Sequence, residues 1–322
     1  MSETILVTGA AGFAGSHLLD LLEKGPGEVV AWRRLEDPLP PGRTGNELRW
    51  MQVDALDRQA VEDAIAEIRP DHVYHCAGAA HVGASWACTR ETLEVNVLGT
   101  HYLLESLRRS GLSARVLLPG SAYVYRQSDH PITEDDPVLP ASPYALSKLA
   151  QELAGQRAAS DDGLEVLLPR AFNHFGPRQA PSFSTSSFAQ QVAAIEAGLA
   201  EPVIKVGNLS ARRDMTDVRD TVRAYQCLMQ TGRPGVIYNV CSGKARRVGE
   251  VLDALLAAAR VRITVETDPS RLRPQDAALV LGDPSRIQRE TGWAPAIPFE
   301  RSVADLLDYW RSAVARAGRG SG

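Results

Sequence analysis

"VTGAAGFAGSHL" (residues 7–18) lies between a short apolar run and the first amphipathic stretch, and its reading decides the fold. Gly9, Gly12 and Gly15 give the spacing GxxGxxG at a strand-to-helix turn. Each glycine has its own physical reason to be there. Gly9 permits the tight turn, Gly12 lets backbone N–H groups approach a pyrophosphate, and Gly15 lets helix and strand pack closely. A glycine triplet alone is weak evidence, since glycine is common in turns. Between the first strand and the first helix it predicts a dinucleotide site.

Outward from this turn, strand-like runs alternate with helical ones. "TILVT", "EVVAW", "LRWMQV", "HVYHCA", "RVLLP" and "EVLLP" are short and apolar, with "AGSHLLDLLEK", "RQAVEDAIAEI" and "TLEVNVLGTHYLLESLRRS" among them. Such alternation predicts βαβ units: an α/β, Rossmann-type doubly wound parallel sheet covered by helices. From about residue 170 the pattern becomes irregular and richer in Pro, Gly and Arg. The expected division is a dinucleotide-binding unit over 1–169 plus about 214–241, and a smaller C-terminal α/β unit over about 170–213 and 242–316.

Composition narrows the function classes. The chain has 322 residues, 44% apolar and 23% charged, enough for a packed core. Its net charge of −4 and lack of a long basic block argue against nucleic acid or membrane as the main partner. Cys76, Cys88, Cys227 and Cys241 form no CxxC pair, so a reduced, cytoplasmic protein without a zinc site is expected. The start reads as no signal peptide, and no apolar run approaches the roughly 18 residues a membrane span needs. His72 and His75 are three apart on a strand and so point to opposite faces, which argues against a metal pair.

After the second strand the chain reads "AWRR". NAD-binding sheets usually place an acid there for the adenosine ribose. Arg33 and Arg34 favour a 2′-phosphate instead, hence NADP before NAD, against the plainer reading of a solvated pair. Asp54 closes the third strand and either accepts from the adenine amine or caps the next helix. Further on, "SPYALSK" holds Tyr144 and Lys148, the only Tyr–Lys pair at helical i,i+4 spacing. An ammonium beside a phenol favours phenolate and, with an oxidised nicotinamide, is expected to lower a reference pKa of about 10.

With GxxGxxG, Asn96 in "EVNVLGT", Ser121 in "GSAYVYR" and YxxxK in order, the chain resembles the extended short-chain dehydrogenases/reductases acting on nucleotide sugars. The resemblance covers nearly the whole length. "RAFNHFGPRQ" (170–179), "VGNLSARRDMTDVRD" (206–220), "YNVCSGKA" (238–245), "RLRPQDAALVLGDPSRI" (271–287) and "TGWAPAIPFE" (291–300) look like the GDP-mannose branch. By that match Ser121 would hydrogen-bond the substrate oxygen, Tyr144 would move the proton and Lys148 would hold the nicotinamide ribose. The resemblance implies further cofactor contacts at Gly9, Gly12, Phe13, Ala14, Gly15, Arg33, Arg34, Asp54, Ala55, Ala77, Gly78 and Ala79. It implies substrate contacts at Ser85, Asn173, Arg213, Arg273 and Asp276, where arginine forks suit a diphosphate and an acid suits ribose hydroxyls. It also implies a homodimer through residues 89–110 and 143–159, whose apolar faces could equally pack on the sheet. One departure is Arg126, where the family often has a loop glycine after the "VY" pair.

The residues after Ser121 discriminate among the reactions of the family. Its 4,6-dehydratases carry an acid two residues after the hydroxyl residue, to take the sugar's C5 proton. Here Ala122 and Tyr123 follow Ser121. Alanine moves no proton, and a phenol with a pKa near 10 is a poor base at neutral pH. Hydride transfer at C4 remains. The expected reaction is NADPH-dependent reduction of a nucleotide-linked 4-keto-6-deoxy sugar, GDP-4-keto-6-deoxy-D-mannose to GDP-D-rhamnose. The alternatives are an NAD-dependent nucleotide-sugar 4-epimerase and a GDP-mannose 4,6-dehydratase.

Overall fold

The computed structural model describes residues 3–40, 48–271 and 277–319. Strand and helix alternate through the first half: β1 (Thr4–Thr8), α1 (Phe13–Leu22), β2 (Glu28–Arg33), β3 (Arg49–Gln52), α2 (Arg58–Ile68), β4 (His72–His75), α3 (Thr89–Leu93), α4 (Gly99–Ser110), β5 (Arg115–Leu117), β6 (Gly120–Ser121), α5 (Pro143–Asp161) and β7 (Glu165–Ala171). The second half continues with β8 (Asn173–Phe175), α6 (Ser184–Glu196), β9 (Val203–Val206), β10 (Arg212–Asp217), α7 (Val218–Thr231) and β11 (Ile237–Val240). It ends with β12 (Ala245–Arg247), α8 (Val248–Ala257), β13 (Thr264–Thr267), β14 (Leu279–Val280), α9 (Ser285–Thr291) and α10 (Phe299–Arg319).

Eight parallel strands form the main sheet in the order β3-β2-β1-β4-β5-β7-β11, with β6 added on β7. This is the doubly wound fold expected from the alternation. Period-2 geometry explains its layers. Ile5 and Val7 of β1 face a core shared with Leu18 and Leu19 of α1 and Tyr225 and Leu228 of α7. Leu6 between them faces Val61 and Ile65 of α2 and Leu103 and Leu107 of α4. Each fully buried aliphatic side chain contributes about 1.5–3 kcal/mol. Tertiary burial therefore holds these helices more than helix propensity does. Strand order reverses at β1, so the carboxyl ends of β1 and β4 open the crevice where such sheets take ligands.

The second half is more regular than its composition suggests. β10 pairs antiparallel with β12 and parallel with β14 and β8, and β9 pairs with β13. Phe188 and Val192 of α6, Val251 and Leu255 of α8, and Leu306 and Leu307 of α10 form a separate core. α7 and β11 return to the main sheet. One segment departs from the expected division: Ile287 and Trp293 pack with α7 in the main core, so this stretch lies with the large sheet. Trp293 Nε1 donates to the Asp220 carbonyl at 3.0 Å, and the Asp220 carboxylate accepts from Ala296 and Ile297 N–H, fixing that placement.

Candidate active site

Gly9 adopts φ +60°, and a Cβ there would lie 2.5 Å from the Ala77 nitrogen. A Cβ on Gly15 would lie 2.3 Å from the Gly9 oxygen. Side chains are thus excluded where α1 meets the ends of β1 and β4. Gly12 is the exposed N-cap of α1 and no side chain caps that end. The first-turn N–H groups around Phe13 and Ala14 therefore have no intrahelical partner. The Phe13 ring stacks on His174, with centroids 5.7 Å apart, and only its backbone belongs to the turn. Backbone donors at an uncapped helix start, with no Cβ in the way, fit a dinucleotide pyrophosphate.

At the end of β2 the two arginines differ. Arg34 pairs with Glu36 at 3.2 Å and Asp37 at 2.9 Å, so local carboxylates meet its charge. Arg33 Nη1 donates to the carbonyls of Asp37 at 2.8 Å and of Arg34 and Leu35 at 3.3 Å, while its Nε is buried without a partner. Of the two, Arg33 fits a phosphate better. The Asp54 alternatives narrow: Asp57 caps α2, accepting from Ala60 N–H at 3.1 Å, while Asp54 accepts from Leu56 N–H at 2.9 Å in the loop. Ala55, beside it, packs against Gly99, where a Cβ would lie 3.2 Å from its own.

Across the crevice, α3 runs into α4 through a π-helical turn at Glu94–Leu98, a distortion often found at functional sites. Asn96 sits in it. Its Oδ1 accepts from Ala79 N–H at 2.8 Å, and its Nδ2 donates to the Ala79 carbonyl at 3.0 Å and to Ser147 Oγ at 2.8 Å. One side chain thus ties the Ala77–Gly78–Ala79 loop to α5. A Cβ on Gly78 would lie 2.9 Å from Asn96 Oδ1 and 3.8 Å from Lys148 Nζ, so the loop meets the Asn96 amide where a side chain would not fit.

The inner face of helix α5 carries several polar residues. Ser142 caps it, accepting from Ala145 N–H at 3.1 Å, and Pro143 opens its first turn. Tyr144, Ser147, Lys148, Gln151 and Glu152 are all buried, whereas Leu146 and Leu153 are 49% and 54% exposed. Ser121 lies near enough to the Tyr144 phenol to act on its pKa in the lowering direction, and its Oγ accepts from Tyr123 N–H at 3.2 Å. Lys148 Nζ donates to the Pro119 carbonyl and to Gln151 Oε1, each at 2.8 Å. The lowering expected with an oxidised nicotinamide concerns the cofactor-bound state. Burial pushes Tyr144 up to about 12, because the ammonium serves neutral acceptors and leaves desolvation dominant. Burial pulls Lys148 itself down to about 8.

On the substrate side, the Tyr123 ring lies edge-on to Tyr144 at 6.5 Å, and its hydroxyl accepts from Asn173 Nδ2 at 3.3 Å. Asn173 Oδ1 is buried with no partner, a free acceptor facing this group. Ser85 has a structural task in the fold. It is buried, its Oγ donates to the Val82 carbonyl at 2.7 Å and accepts from Tyr144 N–H at 3.1 Å, and so it anchors the start of α5. Arg213 is buried on β10 and donates to the carbonyls of Arg212 and Ala277. Arg273 and Asp276 lie outside the described residues. Arg126 is exposed.

Residues that motif reading did not single out support the trio from behind. Glu152 and Arg170, each side chain 4% exposed, form two parallel hydrogen bonds of 2.7 Å. Gly120 and Ser121 of β6 pair with Arg170 and Ala171 of β7, so this ion pair underlies the strand that carries Ser121. A signal existed in the sequence: Gln151 and Glu152 stand three and four residues after Lys148, hence on its helix face.

Comparison with known proteins agrees with this geometry. Residues 6–306 match the family model described as GDP-mannose 4,6 dehydratase. The chain is 35% identical to a GDP-6-deoxy-D-mannose reductase of Pseudomonas aeruginosa, over 98% of this chain and 99% of that one. Among solved structures, RMD from Pseudomonas aeruginosa complexed with NADPH superposes with a TM-score of 0.85 at 33% identity, covering 97% of this chain and 100% of that one. The UDP-glucose 4-epimerase of Thermus thermophilus in complex with NAD gives a TM-score of 0.86 at 30% identity, covering 96% and 99%.

Proposed function

The chain belongs to the GDP-mannose 4,6 dehydratase family of extended short-chain dehydrogenases/reductases, and on that premise we propose that it reduces the C4 keto group of a GDP-linked 4-keto-6-deoxymannose with NADPH. One observation carries this reading: a buried phenol beside Ser121, pushed up by burial, with Ala122 and Tyr123 where dehydration needs a carboxylate. A phenol with a raised pKa is a proton donor at neutral pH, which is what ketone reduction requires.

Bound NADPH supplies the hydride to C4. Ser121 donates to the keto oxygen and orients it. Tyr144 passes its phenolic proton to that oxygen, giving the C4 alcohol, and is reprotonated from solvent. Lys148 would hold the nicotinamide ribose with its remaining N–H. Asn96 keeps the Ala77–Ala79 loop and α5 at fixed separation. Asn173 and Tyr123 receive the sugar, and Arg213, Arg273 and Asp276 serve the nucleotide end. We assign residues 1–169 and about 214–241 to the cofactor lobe. The test supplies GDP-4-keto-6-deoxymannose with NADPH and identifies the product by NMR. The expected product is the C4 alcohol with oxidation of NADPH, and GDP-mannose alone is expected to remain unchanged. Formation of the keto sugar from GDP-mannose would overturn the reading.

Cofactor choice rests on Arg33, whose guanidinium matches a 2′-phosphate that NADH lacks. One charged hydrogen-bonded contact is worth about 1.5–3 kcal/mol. The wild type is therefore expected to prefer NADPH by at least about tenfold in kcat/KM, and Arg33→Asp to reverse the order. Equal values in the wild type, or an unchanged ratio in the variant, would refute this role.

We further propose a cytoplasmic homodimer. Among the described residues no helix is long and apolar enough to cross a membrane. The apolar stripe of Leu98, Leu146 and Leu153, at 38%, 49% and 54% exposure, suits a second copy of α4 and α5. Light scattering is expected to give twice the 34.8 kDa chain mass, and Leu153→Arg to halve it.

A further inference from the structure

We infer that Gln151 is a positioning residue, which fixes the orientation of the Lys148 side chain and sustains its positive charge. The inference deepens the proposed reaction, since it takes the role of Lys148 from that reading. Lys148 Nζ has three N–H groups. Two are engaged, by the Pro119 carbonyl and by Gln151 Oε1, both at 2.8 Å. The third has no hydrogen-bond partner among the described residues.

Around this buried ammonium the titratable neighbours are neutral. His75, at the end of β4, is pulled down to about 3 by burial and by the Lys148 charge. Cys76, next to it, is pushed up to about 12 by burial, and Tyr144 of the same helix likewise. Glu152, the carboxylate next in α5, gives both oxygens to Arg170. The ammonium is therefore supported by two dipoles, one of them a backbone carbonyl that substitution cannot remove. Gln151 supplies the other.

The amide orientation is dictated by chemistry. An ammonium only donates, so Oε1 must face it. Gln151 Nε2 is left buried with no partner. An unpaired buried donor destabilises the fold, so packing alone would favour an apolar residue here. The arrangement makes sense as service to Lys148.

The chain has only four lysines, Lys24, Lys148, Lys205 and Lys244, so lysine-selective 13C NMR of the cofactor-free protein resolves each titration. A Lys148→Met sample assigns the signal. Wild-type Lys148 is expected to titrate below the ordinary lysine range, near the value of about 8 that burial gives. Gln151→Leu, close in size but without the acceptor, is expected to lower that midpoint by about one to two units. Gln151→Glu is expected to raise it, because a carboxylate favours the charged form. Opposite shifts from two substitutions at one site are not a folding effect. A Gln151→Leu midpoint equal to wild type, or shifts of the same sign in both variants, would overturn the inference. The titration uses neither cofactor nor sugar, so its failure is distinct from failure of the proposed reduction.

Discussion

Tyr144→Phe is expected to reduce turnover by at least about a hundredfold, the lower end of what a general acid contributes, while NADPH binding stays within about twofold of wild type. Only the phenolic oxygen and its proton are removed. The ring remains packed beside Tyr123, and α5 keeps its Ser142 cap and its anchor on Ser85. Without the acid, the alkoxide forming at C4 has no adjacent proton to accept. The pH profile carries a second expectation. Reduction needs Tyr144 protonated and Lys148 charged, so both requirements are met at low pH and lost as pH rises. Lys148, pulled down to about 8, is lost first, well before Tyr144 at about 12. The rate should therefore be flat through neutrality and decline above about pH 8. Steady-state kinetics with fluorescence-monitored NADPH binding checks both points. A variant retaining more than about a tenth of wild-type turnover would show that another group donates the proton.

Arg170→Leu is expected to destabilise the fold by about 3–5 kcal/mol, because it leaves the Glu152 carboxylate buried and uncompensated. For a chain of this size that corresponds to a fall of roughly 10 °C in Tm. Adding Glu152→Leu should recover much of the lost stability, since a buried pair replaced by apolar residues is often neutral. Activity should fall with the single substitution, because Arg170 pairs with Gly120 beneath the strand that carries Ser121. Thermal unfolding of both variants decides the matter. A double variant less stable than Arg170→Leu alone would contradict the buried-charge argument.

Much of the fold was legible because it rests on local patterns. The strand TILVT, the glycine turn and the helix after it occupy the residues that period-2 and glycine arguments assign them. Helix α5 shows where such reasoning stops. Tyr144, Ser147, Lys148, Gln151 and Glu152 lie inside while Leu146 and Leu153 lie outside, so apolar periodicity alone does not mark its inner face. Only the i,i+4 spacing of Tyr144 and Lys148 marked the side that matters. Likewise Ile287 and Trp293 follow a Pro-rich stretch that composition assigns to the second lobe, yet they complete the core around α7.

By itself the sequence determined the doubly wound sheet, the dinucleotide turn and the order Ser121, Tyr144, Lys148, because each follows from spacing along one strand or helix. Tertiary structure alone decided the protonation states and the partners. Burial pushes the Tyr144 phenol up, and Lys148 donates to Pro119 and Gln151. Arg33 differs from its neighbour Arg34 because the loop folds two carboxylates onto only one of them. Ser85 anchors α5 from 59 residues away. Burial and long-range hydrogen bonds depend on what the fold brings together, and no local spacing encodes them.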